Sequence, residues 1–164
     1  RAMYEKQYAQ IRALDTSRPL PSASCRYYKD ICLDLPDIVS FNIYSGWYDS
    51  NAVATEFQKQ YAWIETTGGA GKPMIISEFG GAALYGSHVR WSEERQAEIL
   101  DESLAYYMNT PDVCGVYIWQ FADCRVTDEG TWWFSRARTR NNKGIFDEYR
   151  RPKLALDAIK RHFK

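Results

Sequence analysis

Neither sign of charge is in excess: Lys plus Arg and Asp plus Glu both number 21 in the 164 residues. That balance removes the basic field with which proteins hold nucleic acid or an anionic membrane by bulk charge. No apolar run reaches membrane-spanning length, and the opening "RAMYEKQYAQ" does not have the layout of a signal peptide. Histidine occurs only twice. The four cysteines (Cys25, Cys32, Cys114, Cys124) have neither C-x-x-C spacing nor a histidine pair beside them. A zinc site or a disulfide framework is therefore not expected, and the thiols read as reduced or buried groups of an intracellular, cytoplasmic protein. Internal repeats, low-complexity tracts and linkers are also missing, so residues 1–164 are expected to form a single unit.

What the chain does have is aromatic surface. Aromatic residues make up 15% of it, with six Trp and twelve Tyr, in an otherwise ordinary globular composition of 45% hydrophobic and 26% charged residues. Tyr and Trp present a flat apolar face with a polar tip, which suits sugar rings as well as protein cores.

Periodicity organises the chain into alternating elements. Tyr4, Tyr8 and Ile11 fall on one face of a helix over 2–14, which "DTSRPLP" ends. "SASCRYY" reads as a short strand, and Ile38 to Tyr44 as a clearer one entered through Pro36. A helix with Phe57, Tyr61 and Ile64 on one face stops at "TGGAGKP". "KPMIISEFGG" is a buried strand, followed by a loop and a helix with Ser92 as N-cap and Ala97, Leu100, Leu104 and Tyr107 inward. "GVYIWQFAD" is the last strand, and Pro152 to Phe163 the last helix. Strands alternating with helices predict parallel βαβ units, either a small open sheet or half of a (β/α)₈ barrel. Only "KDICLDLP" separates the first two strands, too little for a crossover helix.

The strand ends carry the chemistry. The second strand stops at Asn42, Tyr44, Trp47 and Tyr48, the third at Glu78, and the fourth at Trp119 and Asp123. Catalytic residues of parallel α/β folds gather at the C-terminal ends of the strands. A carboxylate surrounded there by Asn, Tyr and Trp suits attack on an anomeric carbon above an indole floor. By pattern alone, Glu78 also reads as a capping or ion-paired residue, Trp119 as core, and Asp123 as a brace for its loop.

Taken in order, "LDTSRP", "DIVSFNIYSGWY", "KPMIISEFGG", "WSEERQAEIL", "GVYIWQFAD" and "NNKGIFDEYRRPKLA" resemble the C-terminal half of the catalytic barrel of glycoside hydrolase family 2, nearly end to end. The resemblance implies the second half of a TIM barrel from a retaining exo-β-glycosidase that needs no cofactor or metal. It implies Glu78 as nucleophile, Tyr44 as its contact to substrate, and Trp119 as lining of the sugar subsite, with Asn42 and Tyr48 beside them. "NNKG" is similar to the Asn-x-Lys pair by which β-glucuronidases hold the sugar carboxylate, which makes Asn141 and Lys143 a uronate clamp and β-glucuronidase the first expectation. β-Galactosidase is the alternative within the family. His88 matches a histidine often found after the nucleophile loop and is expected near the substrate pocket, whereas His162 reads as structural.

The second catalytic carboxyl is missing. Retaining hydrolysis uses two carboxyl groups about 5–5.5 Å apart. The resemblance places the acid/base glutamate in an Asn-Glu motif upstream, and no Asn-Glu dipeptide occurs in this sequence. The chain alone is expected to be inactive, and to pair with the missing barrel half or with itself through exposed edges and inward-facing apolar residues. Two readings from other classes stand beside this one: a non-catalytic carbohydrate-binding or self-assembling module, and an unrelated four-stranded α/β domain with a structural Glu78.

Overall fold

The computed structural model describes residues 1–85, 87–127, 129 and 136–163. It contains a four-stranded parallel sheet in the order β1 (Pro21–Ser24), β2 (Ile38–Asn42), β3 (Met74–Phe79), β4 (Val113–Ile118). Helix α1 (Ala2–Leu14) precedes it, α2 (Val53–Thr66) joins β2 to β3, α3 (Glu93–Tyr107) joins β3 to β4, and α4 (Ala155–His162) closes the chain. This is the alternation expected of half a (β/α)₈ barrel.

Side-chain alternation along each strand sorts the sheet into two faces. One cross-strand row runs Ser24, Phe41, Ile76, Val116. It lies against a core built from Phe57 and Ile64 of α2, Leu100, Leu104 and Tyr107 of α3, and Ile159 of α4. The neighbouring row runs Ala23, Ser40, Ile75, Gly115 and lies on the opposite face. That face is mostly small or polar, not the apolar surface expected of an opened barrel. Exposed apolar residues also border both edge strands. Tyr4, Ile11 and Leu14 of α1 line a groove with Leu20 and Pro21 beside β1, while Tyr117 and Phe121 are exposed along and just beyond β4.

Several local expectations are corrected. The first strand is only four residues long, because the chain turns at Tyr27 (φ +49°) into a 3-10 turn, Tyr27–Lys29. The short connection thus crosses to a parallel neighbour through that 3-10 turn, without an α-helix. Of the predicted α1 face only Tyr8 is buried. In α3, Ser92 caps as expected, accepting from the Arg95 N–H at 3.1 Å, but Gln96, Ile99 and Ser103 share the buried face with Leu100, Leu104 and Tyr107, while Ala97 is half-buried. The last helix begins at Ala155, three residues later than its proline suggested. All four cysteines are free thiols, the first of the two alternatives; three are exposed and Cys32 is half-buried. A small antiparallel ribbon not foreseen in the sequence, β5 (Cys124–Arg125) with β6 (Arg140–Asn141), ties together the two ends of the long loop over residues 126–139.

Candidate active site

The strand register brings the polar residues together. Asn42 stands opposite Glu78, and the ladder shifts by a residue just before them, which lets both leave the regular pleat at the carboxyl edge of the sheet. Asn42 Oδ1 accepts from the Ser77 hydroxyl at 2.9 Å, and the Ile43 N–H donates to the Glu78 carbonyl at 2.8 Å. The strand then breaks at Gly80, whose φ of +141° favours glycine; a Cβ there would sit 2.9 Å from the Trp119 carbonyl. The Trp119 N–H in turn donates to Phe79 O at 2.9 Å, so the ends of β3 and β4 are drawn close together.

Tyr44 donates its hydroxyl to Glu78 Oε2 at 2.8 Å. Burial, and then the carboxylate it faces, hold the Tyr44 phenol far above its ordinary range, so it remains a donor at any working pH. Lys143 reaches the neighbouring Tyr48 from the loop before α4. Its side chain is 2% exposed, and its ammonium donates to Tyr48 Oη at 2.7 Å. The rings of Tyr48, Tyr44 and Trp47 surround that ammonium, with centroids at 4.7, 5.2 and 5.6 Å. Such a cage suits a cation, each ring contributing about 0.5–2 kcal/mol. Tyr44 and Tyr48 meet edge to face at 5.3 Å, linking the ammonium to the residue that holds Glu78.

The two partners of this pair perturb one another. Burial pushes the Lys143 ammonium below its ordinary pKa, opposed by Tyr48. Burial would raise the Tyr48 phenol, but Lys143 and Arg136 outweigh it and bring it below its ordinary value. The cation is thus lost as pH rises, at a lower pH than for a free lysine.

Trp47, placed by the sequence at the end of the second strand but given no role there, earns one through that cage. It is 5% exposed and is wedged in place by Trp91 (edge to face, 5.2 Å) and by Arg90, whose guanidinium lies 4.8 Å from the ring centroid. Its spacing of three residues from Tyr44 was the available signal. Asn141 is half-buried beside Lys143; its Oδ1 accepts from the Lys143 N–H at 3.3 Å, and its carbonyl accepts from the Gln120 side chain at 3.3 Å. Trp119, 38% exposed, and Tyr48, 58% exposed, stand at the open rim. His88 is not brought into this cluster. It is exposed in a shallow groove with Tyr85, Glu93, Glu94 and Leu154. Asp123 is buried in an ion pair with Lys153 at 2.9 Å, and burial raises its carboxyl in spite of that partner. His162 meets Asp101 of α3 at 2.8 Å, a contact between helices. Among the described residues no His/Cys/Asp/Glu group has the arrangement of a metal site. Trp132 and Trp133 of the long loop lie outside the described residues.

The family model described as glycosyl hydrolases family 2, TIM barrel domain, matches residues 1–164. The chain belongs to glycosyl hydrolase family 2. A GH2 β-galacturonidase from Eisenbergiella tayi, solved bound to galacturonate, superimposes with a TM-score of 0.93 at 48% identity, covering 98% of this chain and 29% of that one. A β-glucuronidase from an uncultured Clostridium superimposes with a TM-score of 0.82 at 30% identity, covering 98% and 29%. Among curated proteins, the β-glucuronidase of Canis lupus familiaris is 30% identical over 94% of this chain and 24% of its own length. The chain therefore spans about a quarter of such family 2 relatives.

Proposed function

We propose that this chain is the nucleophile-bearing half of the site in a retaining exo-β-uronidase. The observation that carries the reading is Lys143, a buried cation caged by the tyrosine that holds Glu78. An ammonium has three donors, and among the described residues only Tyr48 takes one. A sugar carboxylate at C5 suits the others as a charge-assisted acceptor, and a hydroxymethyl group in its place gains far less. Asn141 stands beside Lys143 as a second donor to that carboxylate.

In the reaction so proposed, Tyr44 occupies Oε2 of Glu78 and leaves Oε1 to attack the anomeric carbon. The glycosidic C–O bond breaks, and the leaving oxygen takes a proton from an acid supplied outside these residues. Water, deprotonated by that same group, then attacks the anomeric carbon, and the ester to Glu78 breaks, giving the free uronic acid and the carboxylate again. Trp119 at the rim supplies the sugar platform.

The two uronides differ in support. The glucuronide expectation rests on the Asn-x-Lys segment and on relatives near 30% identity. The β-galacturonidase is 48% identical over nearly the whole chain, which favours galacturonide. The full-length protein should therefore hydrolyse p-nitrophenyl β-galacturonide fastest, β-glucuronide next and β-galactoside least, as ranked by kcat/KM. A galactoside preferred to both uronides would end the uronidase reading.

The Lys143–Tyr48 pair adds a pH signature. Lys143 is charged below its pKa, which burial has lowered, so kcat/KM for a uronide should fall on the alkaline side below the ordinary lysine range. The step belongs to the coupled pair. A matched neutral glycoside should lack this limb in the same pH series; a limb shared by both substrates would assign it elsewhere.

A further inference from the structure

Lys153 sits in "RRPKLA", just before α4, where nothing in the sequence marks it out. Its side chain is 5% exposed, and all three ammonium donors are engaged: Ala83 O at 3.0 Å, Asp123 Oδ1 at 2.9 Å and Asn142 O at 3.1 Å. Those acceptors come from three separate segments. Ala83 follows β3 and Glu78, Asp123 follows β4 and Trp119, and Asn142 precedes Lys143. The same Asp123 oxygen accepts from the Gly144 N–H at 2.9 Å, on the other side of Lys143. The Ala83 N–H closes the circuit on Asn142 O at 2.9 Å.

A second buried side chain repeats the arrangement. Gln96 of α3, fully buried, donates to Gly81 O at 2.9 Å and Gly144 O at 3.0 Å, again joining the loop after Glu78 to the loop of Lys143. The approach is so close that a Cβ at Gly144 would lie 2.2 Å from the Asp123 nitrogen. The main chain on both sides of Lys143 is thus held to the segment that carries the nucleophile.

We propose that Lys153 and Asp123 form a positioning pair, which sets the distance between Lys143 and Glu78 and so the preference for a uronide over a neutral sugar. A buried ion pair is weak evidence for stability, because desolvation offsets much of its attraction. Three convergent acceptors from three loops are instead a geometric constraint, and a binding group displaced by about 1 Å loses on the order of 10²-fold in rate. The proposal rests on the uronidase reading above.

Lys153→Arg separates position from charge. Arginine keeps the pairing with Asp123, but its planar fork cannot meet three acceptors grouped around one nitrogen. In the full-length enzyme, the ratio of kcat/KM for p-nitrophenyl β-galacturonide to that for β-galactoside should fall about 10- to 100-fold. A purely stabilising pair would be rescued by arginine, so wild-type selectivity in folded Lys153→Arg overturns the proposal, as do equal losses on both substrates. If that variant does not accumulate, Asp123→Ala, which removes the one oxygen shared by Lys153 and Gly144, is read in the same way: lost selectivity supports, retained selectivity overturns. Failure of the underlying reading looks different, since the wild-type enzyme would then show no uronide preference to lose.

Discussion

In the full-length enzyme, Glu78→Gln is expected to lower turnover of every β-glycoside substrate by about 10⁴-fold or more, the scale on which removal of an attacking group acts. Glutamine retains the size of the side chain and an oxygen to accept from the Tyr44 hydroxyl, which in the native site lies 2.8 Å from Oε2. Substrate affinity and thermal stability should therefore change little. What disappears is the covalent step, because an amide oxygen cannot form and release the glycosyl ester. A 2-deoxy-2-fluoro glycoside followed by digestion and peptide mass mapping checks this directly: native protein gains the sugar mass on the peptide containing Glu78, and Glu78→Gln gains none. Labelling of another carboxylate, or a variant retaining a tenth of native turnover, would remove Glu78 from the nucleophile role.

The second large effect is one of discrimination. Lys143→Met keeps the length of the buried stem and deletes the cation inside the ring of Tyr44, Trp47 and Tyr48. The ratio of kcat/KM for a β-uronide to that for its neutral counterpart should fall about 10²- to 10³-fold, since a site built around a charged hydrogen bond loses most against the ligand that supplied it. Lys143→Ala should do the same, with an added loss of stability from the cavity left under Trp47. The alkaline limb of the uronide profile should vanish in both variants. Parallel losses on the charged and neutral substrates would instead show that the lysine merely supports the fold.

The legible parts of this site were those carried by local chemistry. "KPMIISEFGG" announces its strand because β-branched and apolar residues run between a proline and two glycines, and Glu78 is conspicuous at the end of such a run. The "FNIYSGWY" segment likewise placed Asn42, Tyr44 and Tyr48 at the rim, where the structure has them. Contacts that depend on distant segments were not legible. Tyr48 and Lys143 are 95 residues apart, and only the docking of two loops puts one on the other. Lys153 looks like any solvated lysine until three carbonyl and carboxylate oxygens surround it. His88 shows the opposite failure: a resemblance in sequence position put it near the pocket, and the backbone carries it to an exposed groove. The amphipathic pattern of α1 was real, but Tyr4 and Ile11 overhang the free edge of β1.

The close approach at Gly144 bears on how a sugar site of the proposed kind could change its specificity. Loops at barrel rims usually diversify by growing or shrinking, because their backbones run free in solvent. Here the backbone beside Lys143 has no slack: one residue further along, a single methyl group would collide with Asp123, Ala122 and Phe146 at 2.2–2.4 Å. Insertion or deletion across residues 142–144 would break the buried network instead of reshaping the pocket. New specificities must therefore arise by exchange of side chains that the network leaves alone, Asn141 and the half-open Tyr48 first among them.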